Sequence, residues 1–410
     1  MRIAVIGGGA AGIFGAIVAA SGERTVSIDV LEATHQPLDK VLVSGGGRCN
    51  VTHDCFEPRQ LVESYPRGRR ELLGAFSRFQ PRDTVAWFAK QGVELKAESD
   101  GRMFPVTDRS QTIADCLLNA AETRGVKIRL GARVSDIASR TPGGQTSLFE
   151  VTLEDGSTKT YDRVLMATGN NRRVHQVVAA LGHSIVPPVP SLFTFKISDP
   201  RLNGLSGLSF NKVRLKLTTA SGATLHEAGP MLITHWGLSG PAVLKLSAWG
   251  ARELNEARYK ATLTINLCPE LKAESLYHEL LAYKEQHPRK QISSGVGLDI
   301  SRRFWQRLIE FQDIGQSTTW NELGHTAIRR IVSQLTKGEY QVNGRGEFKE
   351  EFVTCGGVKL SEVDFRTMQS RICPGLFFAG ELLDIDGITG GFNFQSAWTT
   401  GWIAGSNVAQ

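Results

Sequence analysis

Six cysteines occur in 410 residues without a single Cys-x-x-Cys pair, which removes both a zinc-ribbon type of site and a dithiol redox motif. No metal site is expected. Long apolar runs are also missing: nothing reaches the roughly 18 uninterrupted apolar residues of a membrane helix, so no membrane partner is expected. A strong charge of one sign is absent too. Lys and Arg number 47 against 41 Asp and Glu, a net charge of +6, which welcomes anionic ligands but is too mild for a nucleic-acid footprint. The basic residues form no contiguous run with interleaved aromatics, and a nucleic-acid partner is therefore not expected. The opening MRIAVIGGGAAGIFGAIVAA superficially resembles a secretory leader, but glycines at 7, 8, 9 and 12 interrupt its apolar core. A cytoplasmic protein with reduced thiols is the expectation.

What is present is a folded chain of ordinary composition, 41% hydrophobic and 21% charged. Its length calls for two or three domains. The 43 glycines exceed the usual share of about 7% and cluster, a sign of backbone brought close to a ligand.

Residues 2–6, RIAVI, read as a buried parallel strand. Gly7, Gly9 and Gly12 then complete G-x-G-x-x-G, with Ala10 and Ala11 opening a small-residue helix. The first glycine permits the tight turn, the second lets a pyrophosphate touch the backbone, and the third seats the helix on the strand. The helix start then faces phosphate. A second strand over 26–31 ends at Glu32, twenty residues beyond Gly12, the spacing of a ribose-binding carboxylate. Asp29 is also acidic but lies inside the strand, where alternation leaves its face open.

The nucleotide is indicated further on. Beyond Lys40 the chain reads Ser44-Gly45-Gly46-Gly47-Arg48-Cys49-Asn50-Val51-Thr52. Three glycines beside a cation and an amide make a strip of backbone donors suited to a pyrophosphate or an isoalloxazine edge. NAD has no need of such a strip, and a large cofactor held along its length does.

SGGGRCNVT, then GRMFP at 101–105, then GELLDIDGITGGFNFQSAW at 380–398 together resemble the YhiN-like flavoproteins, also called the BaiN/RdsA-type FAD-dependent oxidoreductase family. The motifs span nearly the whole chain in the family's order. The resemblance implies an α/β fold: a Rossmann-like, two-lobed FAD-binding domain carrying an inserted small β-barrel and a helical subdomain. Family members have been labelled aminoacetone oxidases or steroid-ene reductases. The resemblance also makes Val134 a candidate for backbone contact with adenine and places Ala167, Thr168 and Gly169 beside FAD, with Asn170-Asn171 departing from the commoner glycine there.

Near the C-terminus an apolar strand over 376–379 delivers Gly380, Glu381, Asp384, Asp386 and Gly387. Gly390, Gly391, Phe392 and Asn393 then open a helix whose free N–H groups suit the N1/O2 side of a reduced flavin. Asp386 is a candidate for the ribityl or phosphate region, with capping as its alternative.

Pro187-Pro188-Val189-Pro190 reads as a hinge. Expected boundaries are an FAD-binding first part over 1–188, an inserted barrel over 189–270, a helical subdomain over 271–340, and the second FAD-binding part over 341–410. The insertion holds no second G-x-G-x-x-G, so NADH or NADPH enters only as a transient hydride donor. His235, in Thr234-His235-Trp236-Gly237-Leu238-Ser239-Gly240-Pro241, matches the family's THxGxSGP pattern. It is either a proton donor over the flavin or the fastening of a turn. Arg48 and Arg102 stand either for an anion site or for loop anchors, Cys49 and Cys355 either for redox partners or for buried thiols. Arg302, Arg303 and Arg307 read as a solvated helix face. The expected activity is hydride exchange between flavin N5 and a small organic substrate, of amine or enone class, held between the FAD domain and the insertion. An RNA-associated flavoprotein of the tRNA-modifying type, or a flavin-binding protein without turnover, are the alternatives.

Overall fold

The computed structural model describes residues 1–140, 148–346 and 353–410. The chain divides into two units, Met1–Val189 with Val353–Gln410, and Pro190–Phe352.

The first unit is built on five parallel strands in the spatial order Leu376–Phe378, Arg163–Met166, Arg2–Ile6, Ser27–Leu31, Lys127–Arg129. Ile3, Ala4 and Val5 are completely buried, as a strand covered on both faces requires. Because the strands are parallel, their carboxyl ends share one edge of the sheet. That edge receives Gly7, Glu32, Ala167 and Gly380 from four strands.

Two helices lie against this sheet, Ala10–Ala20 and Phe392–Val408. They approach through small residues: a Cβ on Gly15 would lie 3.1 Å from the Gly401 carbonyl oxygen, and one on Gly401 would lie 2.7 Å from that of Ala11. The pairing of Ala11 with Gly401 and of Gly15 with Gly405 makes the helices run in the same direction, so both N-termini point to one end. Larger side chains would push the helices apart, which explains Gly15 on the first helix and Gly401 and Gly405 on the last.

A three-stranded meander, Val134–Arg140, Leu148–Leu153 and Thr158–Tyr161, is fastened to the sheet through buried Asp29. That carboxylate pairs with Lys159 and accepts the Tyr161 hydroxyl at 2.8 Å, which settles the face left open by strand alternation.

In the second unit six strands pair antiparallel in the order Phe195–Lys196, Gly237–Ser239, Thr224–Ile233, Ser209–Thr219, Lys260–Asn266, Gly338–Asn343. A bridge between Phe195 and Arg345, with the Lys196 N–H donating to the Gly344 carbonyl at 2.9 Å, joins the last strand to the first and closes a barrel. The closing strand straddles 340, where the second FAD part was expected to follow directly. It runs straight on from the helix His325–Lys337. Helices Ala273–Gln286, Arg302–Phe311 and His325–Lys337 share one apolar core with the barrel, where Leu263 and Ile265 lie buried with Ile331 and Leu335. Barrel and helices are thus a single packed body.

The Pro-rich stretch holds the boundary between the units, at Val189 and Pro190, and its backbone is paired. Ile185–Ser191 is a strand whose partner is Val353–Val358, and Gly356 lets the Pro187 backbone come close, since a Cβ there would lie 2.6 Å from its carbonyl oxygen. Proline is tolerated where only one edge of a strand must pair.

Candidate cofactor site

The glycine turn after the first strand has a residue-specific division of labour. Gly7 has a φ of 106°, and a Cβ on it would lie 2.6 Å from the Ala167 carbonyl oxygen. A Cβ on Gly12 would collide with the Gly7 carbonyl. These two glycines serve packing. Gly9 differs: a Cβ there would meet nothing within 4 Å. Gly9 also caps the first helix without a side-chain hydrogen bond, and the first turn carries no acidic residue. The N–H groups of Ala10 and Ala11 therefore end the helix as an open, partly positive terminus.

Glu32 lies beside this turn. Its Oε2 accepts the Gly8 N–H at 2.7 Å, and its Oε1 accepts the Thr34 N–H at 2.8 Å. The Ala132 N–H donates to the Glu32 carbonyl at 2.8 Å, so the strand beginning at Val134 leaves from the same corner. Ala167 and Thr168 touch the turn from the other side. Asp39, near Glu32, is raised above the ordinary carboxyl value, by burial first and by the Glu32 charge second.

The strip follows the short helix begun at Asp39. Ser44 leaves helical geometry with ψ of 151°, and Gly45 and Gly46 take φ of 59° and 67°. Gly46 and Gly47 face open space, whereas Gly45 lies against Phe104 and Asn50. Lys40 forms an ion pair with Glu381, which follows the Leu376–Phe378 strand. Gly169 lies beside the same carboxylate. Gly380 packs on Ala11, and its N–H donates to Thr400 Oγ1 at 2.9 Å.

The last helix opens on the third side. Gly391, with φ of 91°, is its N-cap, again without a side-chain cap or an acidic first turn. The Asn50 carboxamide holds this turn: its oxygen accepts the Gly391 N–H at 2.9 Å and its nitrogen donates to the Thr52 carbonyl at 3.0 Å. The Trp398 indole N–H donates to the Val51 carbonyl at 2.9 Å. The RCN segment and the helix start are therefore one construction.

Several side chains expected at the cofactor turn to protein partners instead. Asp386 is fully buried and ion-paired with Arg67. Asn393 clasps Gly387, accepting its N–H at 2.8 Å and donating to its carbonyl at 3.0 Å, and Gly387 in turn packs on Phe392. Arg48 pairs with Glu98 at 2.6 Å and lies over Phe104, its guanidinium 4.0 Å from the ring centre. Arg102 pairs with Glu98 and Asp100. Both arginines are loop anchors here. Cys49 is fully buried, and burial pushes its thiol up to about 12; a thiol that stays protonated at neutral pH is a poor redox partner. His235 belongs to the second unit and is exposed in the turn before Gly237–Ser239.

Three positions were not singled out from the sequence. Tyr65, fully buried, donates its hydroxyl to the Phe392 carbonyl at 2.7 Å. Arg67 holds Asp386. His53 stacks on Phe392 with ring centres 4.6 Å apart, and its Nδ1 lies 3.0 Å from the Gly390 carbonyl oxygen. Only His53 carried a signal, its place directly after RCNVT.

These residues fit an extended dinucleotide. Open space at Gly9, Gly46 and Gly47, two uncapped helix starts and the Glu32 carboxylate lie along one sheet edge. The Ala10–Gly12 turn would hold the pyrophosphate, Glu32 the ribose, and the glycine strip with the Gly391 turn the isoalloxazine.

The protein is an FAD-dependent oxidoreductase. The chain belongs to the family described as the HI0933-like protein Rossmann domain, which matches residues 1–407. It is 30% identical to the ribosomal RNA dihydrouridine synthase of Escherichia coli, over 98% of this chain and 97% of that one. It is 27% identical to the 3-dehydro-bile acid Δ(4,6)-reductase of Clostridium scindens, over 100% of this chain and 99% of that one. Among solved structures it shares a fold with the 3-ketosteroid Δ1-dehydrogenase of Sterolibacterium denitrificans, at a TM-score of 0.53, 11% identity and 99% coverage of each chain. The 3-ketosteroid-Δ4-(5α)-dehydrogenase of Rhodococcus jostii matches at a TM-score of 0.51 and 14% identity, over 100% of this chain and 96% of that one. Among the described residues no helix is long and apolar enough to cross a membrane.

Proposed function

We propose that this oxidoreductase reduces a carbon–carbon double bond conjugated to a carbonyl group, the enone member of the expected substrate classes. One observation carries the reading: two full-length relatives with unlike substrates are named for the same bond change. A dihydrouridine synthase saturates the ring bond conjugated to the uracil carbonyl, and a Δ(4,6)-reductase saturates bonds conjugated to a 3-keto group. When bound, FAD supplies hydride transfer at N5.

The chain's own residues have three tasks in this reading. The Ala10–Gly12 turn and Glu32 bind the nucleotide end, as do Ala167 to Gly169 and Val134. The Gly391 turn, held by Asn50, presents backbone N–H groups that favour negative charge on a reduced ring system. His235 is the proton donor for the carbon next to the carbonyl. NADH or NADPH, docking transiently, is the reductant.

The more similar relative favours a pyrimidine ring within RNA as the substrate form. A steroid-sized enone is the second reading, favoured by the Clostridium scindens relative. The FAD-loaded protein, reduced anaerobically, should be reoxidised on mixing with a 4-ene-3-ketone or with uridine-containing RNA, the product gaining two hydrogens by mass. A flavin that neither acceptor reoxidises would sink the proposal. Bleaching by NADH or NADPH tests the donor.

A further inference from the structure

The net charge of +6 is not spread evenly over the chain. Between 190 and 352, 21 Lys and Arg face 16 Asp and Glu, so the second unit holds five of the six excess positive charges. In the same unit a cavity of about 330 Å³ is lined by Ile197, Leu202, Asn203, Ser206, Thr234 and His235, among others. That volume is at the lower end of the range for small-ligand pockets. Two of these side chains are apolar and four are neutral polar groups; the wall also carries the Asp199 carboxylate, held by Arg201 at 2.7 Å, and the side chains of Asn203, Ser206 and His235 make no hydrogen bond to any described residue. Next to His235, Trp236 is 52% exposed, unusual for so large an apolar ring. Gly204, also on the cavity wall, accepts a hydrogen bond from Arg303, and the Arg307 guanidinium lies beside it. Both arginines are exposed. The helix face read from sequence as merely solvated thus has two of its cations at the rim of the cavity.

We propose that this cavity, with Trp236 and the two arginines at its rim, binds a pyrimidine nucleotide. The inference rests on the pyrimidine reading above and gives it a recognition site in the second unit. An unpartnered amide, hydroxyl and imidazole match the alternating carbonyl and N–H edge of a uracil ring. An exposed indole offers the flat apolar face on which a base stacks. Arg303 and Arg307 supply the positive charge that a phosphate requires. A steroid enone has one or two polar atoms and no charge at the ring, and would leave most of the three polar side chains without a partner.

The test uses the full-length, FAD-loaded protein and a fluorescently labelled decauridylate, with binding read by anisotropy at fixed salt. Unlabelled uridine monophosphate and 4-androstene-3,17-dione serve as competitors. The wild type should bind the oligomer, and Trp236→Ala and Asn203→Ala should each weaken it about tenfold while flavin absorbance stays unchanged. Replacing Arg303 and Arg307 by Gln should lower the salt dependence by about 1.4 in log–log slope. Competition by the free nucleotide makes the mononucleotide a sufficient ligand, and its failure to compete makes RNA the source; either supports the site. Unchanged affinity in both Trp236→Ala and Asn203→Ala, or displacement of the oligomer by the steroid, overturns it. Reoxidation assays separate the two levels. If Trp236-dependent binding persists but no acceptor reoxidises the flavin, the reductase reading fails and the site stands. If uridine turnover is intact in Trp236→Ala, the site fails and the reading stands.

Discussion

Thr52 donates its hydroxyl to the side-chain oxygen of Gln395 across 2.6 Å, and both residues are completely buried. Thr84 donates to the same oxygen at 2.9 Å, and the Gln395 amide donates to Thr399 at 3.0 Å. One glutamine on the last helix therefore satisfies hydroxyls from two other segments, one of them directly following RCN. Gln395→Leu should cost about 2–4 kcal/mol, because buried hydroxyls lose their acceptor. Urea unfolding of the purified variant checks this, and its flavin content should fall in parallel. A variant as stable as wild type would show that the network rearranges freely.

Gly9 and Gly12 should separate ligand approach from packing. Gly9 has an ordinary φ of −82° and open space around it, so Gly9→Val should leave the thermal midpoint nearly unchanged while sharply weakening FAD binding. Gly12→Val should fail in folding, since its side chain would run into the Gly7 carbonyl. Flavin titration monitored by fluorescence, together with circular dichroism melting of the apoprotein, reads both. Tight FAD binding by Gly9→Val would remove the pyrophosphate from this turn.

The Arg67–Asp386 pair should behave as a unit. Asp386 is wholly buried and the Arg67 side chain only 11% exposed. Removing one partner leaves a buried charge poorly compensated, so Arg67→Met or Asp386→Leu alone should cost about 3–5 kcal/mol, and the double variant less than the sum. A denaturation cycle over the four proteins measures the coupling. Additive losses would mean that the pair is not coupled.

Two buried histidines set the response to mild acid. Burial pushes His175 below the ordinary imidazole value of 6.5, and burial, partly offset by Glu362, does the same for His183. The unfolded chain takes up protons below that value while the native chain resists them. Stability is therefore fully present above about pH 6.5 and declines as pH falls through it, by at most about 1.4 kcal/mol per histidine for each pH unit. Asp29 moves the other way. Although burial alone would raise its pKa, hydrogen bonds from Lys159 and Tyr161 hold it below the usual carboxyl value, so its contribution is lost only in stronger acid. Urea midpoints at pH 7.5 and 5.5 should differ, and His175→Phe should reduce the difference; an equal difference in that variant counts against the assignment.

The backbone of the cofactor edge was legible because its signals are local. A β-branched run, glycines at 7, 9 and 12, an acid twenty residues later and a double glycine before the last helix each constrain φ, ψ and burial within a few residues.

Side-chain partnership was not local. Arg67 reaches Asp386 across 319 positions and Asn50 reaches Gly391 through the fold; no spacing rule could pair them, and the carboxylate of Asp386 is held by an arginine from another segment. Closure of the barrel by a strand beyond the helices, and the gathering of Asn203 and His235 around one cavity with Arg303 and Arg307 beside Gly204 on its wall, likewise arise only when distant segments pack. Short-range sterics thus wrote the turn, strand and helix starts into the chain, and long-range packing chose which polar groups meet.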